Sequence, residues 1–482
     1  MDILRQTAAN DNSAAKQKFE TMVIDVVRAM ERTLDDDGDF SAFEKSMLSA
    51  TNEAVRRCIE RRLQNIADAF DDRVSVGRRE YKRHQPGTVR YFSLCGAVDI
   101  TRWTYRCTDE RNGPTIVPLE LAAGLAKGAT PALAFALAQG IAKSPVRSVE
   151  QDLKAAHRTP PSRTTMDRIA RHLGTLVNEC VERIEPKLRK REMLPADAKA
   201  INLGLDRTTI PMEESTCDDD HDAAPRLIVR YRMAYVGTIC ITNAKCEALV
   251  TRRYAAPAHE GPARILARMK ADLERALDQI PRLNVGVVQD GAPEMWNLMR
   301  DMLRSTRLRA KNWRDIDPRK HRNGWRETID RFHLMEKLSQ CLELLVPKNE
   351  RRRREIYARW NASLDRNERA IYGIRDWIDA HRTNVPRKVD VEIHHILGWY
   401  FAYPPQFFYA TLAPLGLQQG SGVTEGSCKS LITMRAKRSG QRWRPRGISA
   451  LLAIRSLLDS DRLELFWPRF EKRFHANINC AA

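Results

Sequence analysis

No two cysteines in this chain are spaced C-x-x-C, and its ten cysteines are scattered. That excludes a zinc ribbon and argues against a disulfide framework, so reduced thiols in a cytosol fit best. Cys95 and Cys107 could face each other across a hairpin, but coincidence of spacing is the simpler account. No uninterrupted apolar run reaches the ~20 residues that cross a bilayer. Met1–Asn12 is polar and mixed in charge, unlike a secretory leader. The expectation is a cytoplasmic protein with no membrane partner. Internal repeats and low-complexity tracts are also missing, which sets aside solenoids and disordered tails.

What the chain has in excess is positive charge. Its 482 residues carry 81 Lys plus Arg against 62 Asp plus Glu, a formal charge of +19, with a pI near 9.6. Hydrophobic residues make up 43%, enough for a folded rather than a disordered protein. The length suggests roughly three domains of ~150 residues. A large, folded and strongly basic chain points to a polyanionic partner, most often nucleic acid; the competing reading is a basic soluble enzyme.

Residues 14–70 read as helices. Phe19, Met22, Val23, Val26, Val27 and Met30 recur at helical spacing, Asp35–Asp39 with Gly38 interrupts, and Met47, Leu48, Val55, Ile59, Leu63 and Ile66 resume the pattern. Residues 87–107, rich in β-branched and aromatic side chains around Gly96, predict a β-hairpin. Its Arg90, Arg102 and Arg106 could track a phosphate backbone or simply be solvated strand residues. Three helices then follow, over 131–142, 148–156 and 162–176, with Lys187–Arg191 as a basic linker. Arg163, Arg168 and Arg171 decorate the third. The unit resembles a helix-turn-helix, whose last helix enters the major groove, though any small helical bundle shares the pattern.

Residues 200–305 read as α/β. Strands are expected at 200–205, 227–241, 244–254 and 285–289, with helices at 261–279 and 293–305. The stretch 334–415 reads as helical and basic, with Arg351–Arg354 in a run, and 425–470 as helical again.

Two aspartates close predicted strands, Asp206 in GLDRTTIP and Asp290 in VVQDGAPEMW. Ligands of open α/β sheets bind outside strand carboxyl ends, and Gly291 lets the backbone turn sharply there. Either aspartate alone reads equally as a turn or helix-capping residue. A third acid, Glu425, opens a helix after the loop Gly420-Ser421-Gly422. It either complements the helix dipole, worth ~0.3–1 kcal/mol, or serves as a metal ligand facing the strands. Lys429, at i+4 from Glu425, could pair with it or touch a phosphate. Three carboxylates suffice to hold two hard divalent cations ~3.5–4 Å apart against a phosphodiester. Asp330 and His333 form a D-x-x-H at the start of a helix: either a cap with a packed histidine, or a pair beside the metal site.

Taken together, LDRTTIPM at Asp206, QDGAPEMWNLM at Asp290, DRFHLMEKL at Asp330, GLQQGSGVTEGSCK at Glu425 and the carboxyl-terminal RAKRSGQRWRPRGISALLAIRSL with LELFW resemble a known family. The sequence is similar to DDE-type transposases of bacterial insertion sequences, in particular the Kra-type family related to the Mutator-like group, over about Thr88 to Phe466. The resemblance implies an α/β, RNase H-like catalytic core interrupted by a helical insertion and preceded by β-hairpin and helical DNA-binding regions. The implied regions are helical at 1–85, β-hairpin at 86–125, helix-turn-helix-like with a linker at 126–197, core at 198–345, insertion at 346–419, and core plus basic C-terminal region at 420–482.

It further implies that Asp206, Asp290 and Glu425 are the catalytic triad holding two Mg²⁺ or Mn²⁺ ions, with Asp330 and His333 behind them. Double-stranded DNA, both element ends and target, is the implied partner of a homodimer or larger assembly at a bacterial nucleoid. The DNA contacts expected on this reading are Arg163, Arg168, Arg171, Arg207, Lys429, Arg435, Lys437, Arg438, Arg442 and Arg444. Cleavage at an element end followed by joining of the 3′-hydroxyl to target DNA is the implied reaction. The alternatives are a domesticated, catalytically inactive DNA-binding relative and a structure-selective nuclease on the same fold. Arg207 stands where related sequences commonly have Gly, and Gln418-Gln419 replaces an apolar-before-Gly pattern.

Overall fold

The computed structural model describes residues 39–215, 227–310, 324–397 and 404–480, with isolated positions between 21 and 28. The expected helix through Phe19, Met22, Val23, Val26 and Met30, and the break at Asp35–Gly38, lie outside the described residues. The chain is mixed α/β, with two sheets and many helices. It forms two compact units, one of residues 1–173 and 468–482, the other of residues 174–467. The first unit therefore takes in the three expected amino-terminal regions as far as residue 173, together with the last fifteen residues of the expected C-terminal region.

In the first unit, strands β1 (Arg73–Val76), β2 (Arg79–Ser93), β3 (Gly96–Cys107) and β4 (Thr115–Ile116) form an antiparallel sheet. The strand Ile478–Cys480 adds to it beside β1. The expected hairpin is present and starts eight residues earlier than the sequence pattern implies. Its turn is fixed by Ser93 Oγ, which accepts from Cys95 N and donates to Gly96 O, and by Gly96 at φ +124°. Cys95 sits in that turn and Cys107 at the far end of β3, both as free thiols. Arg90 commits its guanidinium to the directly opposed Asp99, at 2.8 and 2.9 Å. The long helix Phe40–Asp68, capped by Asp39, lies on this sheet through Leu63 and Ala67.

The helices Pro131–Lys143 and Val146–Ala155 match expectation closely. The third does not stop near residue 176. It runs from Arg163 to Arg189, because Leu173, Val177, Cys180, Val181, Ile184 and Leu188 keep one apolar face buried without interruption. The basic Lys187–Arg189 is thus the last turn of a helix, where cations complement the dipole, and not a linker.

The second unit is built on a six-stranded sheet of order β7-β6-β5-β8-β10-β9. Strands β5 (Ala200–Ser215), β6 (Leu227–Thr242) and β7 (Ala248–Pro257) are antiparallel. Strands β8 (Asn284–Gln289), β9 (Arg309–Ala310) and β10 (Gly324–Ile329) run parallel to one another, and β8 runs parallel to β5. In β8 every residue but Asn284 is buried, the continuous apolar reading of a strand covered on both faces. Helices Ala263–Gln279 and Pro293–Arg304 bury Ile265, Met269, Leu273, Met295 and Met299 in the main core; the segments from Gly422 to Ala436 and from Pro445 to Leu458 cover Ile210, Met212, Ala234 and Val236. Helices Arg331–Leu345, Glu350–Arg366, Ala370–Arg382 and Arg387–Leu397 follow β10, as the helical reading of 334–415 expects. Much of the Arg351–Arg354 charge is satisfied internally: Arg351 pairs with Glu355, Arg354 with Glu350, and Arg353 binds carbonyls of Val346 and Pro347.

A buried charge network braces this unit. Arg462, 2% exposed, reaches Asp272 (2.5 Å) and Glu192 (2.6 Å). Arg268 pairs with Glu185 at 2.7 Å, Arg189 with Glu185 and Asp272, and the Tyr254 hydroxyl donates to Asp272.

Candidate active site

The sheet register brings the acids together. Strand β5 pairs with β8 at a constant offset of 84, from Ala200↔Asn284 to Leu203↔Val287. Strand β8 pairs with β10 at an offset of 40, ending at Gln289↔Ile329. Asp206, Asp290 and Asp330 are separated by those same two offsets. Continuing each register therefore sets the three aspartates in one row across adjacent strands. One differs from expectation in position: Asp206 lies in mid-strand, since β5 runs on to Ser215 paired residue by residue with β6. Asp330 opens a helix as expected, and it follows a strand that the sequence pattern does not announce. Asp290 does follow the last residue of β8, beside Gly291 at φ +104°.

The fourth acid arrives from a helix. Glu425 sits in the first turn of Gly422–Ser427, which continues into the single π-helical segment among the described residues, Cys428–Thr433. This helix approaches β5 closely because Gly204 has no side chain: a Cβ there would stand 2.0 Å from Thr424 Oγ1. Thr424 is buried and bonds to Thr238 of β6 at 2.7 Å.

Asp206 is held by two neighbouring donors. Asp206 Oδ2 accepts from the Cys428 thiol at 3.3 Å, and Oδ1 from Arg207 N at 2.6 Å. Burial pushes the Asp206 carboxyl above its ordinary value. The Arg207 and Cys428 bonds oppose the shift, while the negative charges of Asp290 and Glu425 add to it. Burial and the Asp206 carboxylate in turn push the Cys428 thiol far up, so it stands as a neutral donor.

Asp330 is 2% exposed. It caps the helix Arg331–Leu345 by accepting from His333 N at 2.9 Å, and it meets His333 Nδ1 at 3.1 Å. Its other oxygen accepts from Ser421 N and lies 2.9 Å from Ser421 Oγ. Burial alone would raise this carboxyl; the bonds from Ser421 and His333 outweigh it and hold the group below its ordinary value. Glu425 Oε1 stands 2.5 Å from Ser421 Oγ and 3.8 Å from His333 Nδ1. One ligand atom each from Asp330, His333 and Glu425 lies within 4.8 Å of the others. Oxygen and imidazole donors this close fit a divalent cation. The pair expected behind the triad thus shares a compact cluster with Glu425.

Several expected DNA contacts are otherwise engaged. Arg435 is buried and stacks on Trp443 at 5.2 Å, which removes it from the surface. Arg207 pairs with Glu294, Arg444 with Glu213 (2.8 Å), Arg163 with Glu150 and Arg171 with Asp167 (2.7 Å). Lys437 donates to Thr208 Oγ1 at 2.6 Å, on the face of β5 that carries Asp206. The Arg438 Nε is bound to Met434 O, with the residue exposed. Lys429, Arg442 and, in the first unit, Arg168 are exposed and have no carboxylate partner among the described residues. Lys429 does not pair with Glu425, whose contacts go to Ser421 and His333.

No family model matches this chain, and no curated protein matches it. Among solved structures, it aligns with the Drosophila P element transposase strand transfer complex at 11% identity, over 71% of this chain and 83% of that one. The TM-score of that alignment is 0.25, a value at which neither a common fold nor a common activity follows.

Proposed function

We propose that the second unit is an RNase H-like nucleotidyl-transfer core and that the chain is a DDE-type transposase of the Kra-type family. The observation that carries this reading is the strand register, which on continuation sets Asp206, Asp290 and Asp330 in one row, with Glu425 on the helix seated against β5; burial raises the Asp206 carboxyl, and the charges of Asp290 and Glu425 add to the rise. Like charges gathered this way are costly unless a cation neutralises them. Asp206, Asp290 and Glu425 are the ligands, with Asp330 and His333 beside Glu425. Divalent cations bound there polarise a phosphodiester and lower the pKa of their water.

The remaining work falls to the chain. Residues 429–446 carry seven cations and no acid. Of these, Lys429 and Arg442 are exposed and unpaired by carboxylates among the described residues, and Lys437 reaches Thr208, two residues along β5 from Asp206. They draw a polyanionic backbone toward the acids and set its register. Arg168, exposed on the helix Arg163–Arg189, supplies a separate phosphate contact.

The test is cleavage and joining of DNA bearing the ends that flank the coding region, in Mg²⁺ or Mn²⁺. D206N and E425Q should each abolish both reactions while retaining end binding in a mobility-shift assay. Activity surviving in both variants would refute the assignment.

A further inference from the structure

Glu425 is flanked, at i−4 and i+3, by Ser421 and Cys428, positions that share one face of a helix. Each flanking side chain reaches an acid of the site. Ser421 is buried, and its hydroxyl lies 2.9 Å from Asp330 Oδ2 and 2.5 Å from Glu425 Oε1. A hydroxyl has one proton to give. Asp330 Oδ2 takes the Ser421 backbone N–H and has a second lone pair within reach of the hydroxyl, which sits between the two acids and closer to Glu425. Cys428, also buried, gives its thiol proton to Asp206 at 3.3 Å. Its raised pKa is not needed for this contact, since a neutral thiol is the donor form.

Resting on the acid site proposed above, we infer that Ser421 and Cys428 are positioning residues that fix the carboxylate oxygens of Glu425 and Asp206 for a divalent cation. Asp330 is the anchor of this arrangement. The four contacts of its carboxylate come from His333 and Ser421, so it ties the start of one helix to the loop that launches the other. Groups that orient ligands in this way commonly change metal affinity by ~10–100-fold when removed.

The experiment measures Mn²⁺ binding to the full chain without DNA, by electron paramagnetic resonance or calorimetry, alongside end cleavage as a function of Mg²⁺ concentration. S421A and C428A should each weaken Mn²⁺ binding by about tenfold or more. The Mg²⁺ concentration for half-maximal cleavage should rise in parallel, with end binding unchanged. S421T and C428S, which keep a donor, should restore both. Thermal unfolding of every variant, with binding read well below its transition, separates weakened affinity from a damaged fold. Wild-type Mn²⁺ affinity in S421A and C428A overturns the inference. If E425A and D206A also bind Mn²⁺ as wild type does, the acid site itself falls. If those two lose binding while S421A and C428A keep it, only the positioning role falls.

Discussion

Gly204 offers a quantitative test of how the helix bearing Glu425 is seated. A Cβ added to Gly204 would stand 2.0 Å from Thr424 Oγ1 and 3.0 Å from Thr238 Oγ1, where ordinary contact begins near 3.4 Å. Thr424 must retreat by over 1 Å, and Glu425 is the next residue. Over-packing of a well-filled core costs ~1–3 kcal/mol. Alanine recovers ~0.5–1 kcal/mol of that through the lower backbone entropy of the unfolded chain. G204A should therefore destabilise by up to about 2.5 kcal/mol. T424A should cost about 1–3 kcal/mol, because it leaves the buried Thr238 hydroxyl without its 2.7 Å partner. T424A removes the worst contact, that with Thr424 Oγ1, and leaves the milder approaches of 3.0 Å to Thr238 Oγ1 and 3.1 Å to the Cβ of residue 424, so the double variant G204A/T424A should be more stable than the sum of the single effects by about 1 kcal/mol. Urea unfolding of the four proteins gives this coupling directly. Effects that add within ~0.5 kcal/mol would show that the helix does not seat on β5 through Gly204.

Other outcomes follow from the charges. R462A removes the hub of the buried network and should cost ~3–5 kcal/mol, since Asp272 and Glu185 are left buried with less compensation; an unchanged melting temperature would refute the bracing role. Burial alone would raise the Asp272 carboxyl, but the Arg462 guanidinium outweighs it and holds the group far below the ordinary 3.8. A carboxyl depressed in the folded state stabilises above the unfolded value and loses that contribution as pH falls toward the folded one. D272N should therefore be less stable than wild type at pH 7, with the gap closing below about pH 4; a pH-independent gap would contradict the linkage. K429A/R442A should reduce the salt dependence of DNA binding, by ~0.9 in log–log slope for each phosphate no longer neutralised. R435A, buried under Trp443, should lower stability and leave that slope unchanged.

The sequence pattern carries the α/β alternation from 200 to 304 well, because buried strands such as β8 are continuous apolar runs and the helices are clearly amphipathic. It places Asp206 at a strand end because the apolar run Ala200–Leu205 gives way there to polar Asp206, Arg207, Thr208 and Thr209. In the structure Pro211 lies where its missing N–H costs nothing: on that side Trp443 N donates to Pro211 O, and Trp443 O accepts from Glu213 N. Strand β10, GWRETI, has too little apolar character to announce itself. Without it, the shared row of Asp330 with the other two aspartates is invisible. The arginines show the limit most plainly. A basic run looks available for phosphate, yet Arg207 and Arg444 find carboxylates 87 and 231 residues away, and no local pattern contains such partners. Ser421 reads as a turn residue in a glycine loop, and only the fold places its hydroxyl between two acids.

The amino-terminal sheet carries a consequence for biosynthesis. Val76 of β1 pairs with Ile478, so about four hundred residues are translated between a strand and its neighbour. Until then the β1 edge presents unpaired backbone groups, the kind of surface that invites association with other chains. The ribosome thus finishes the whole acid-bearing unit before the first unit can close its sheet, and a messenger cut short near its 3′ end yields a nascent protein with a sticky amino-terminal sheet.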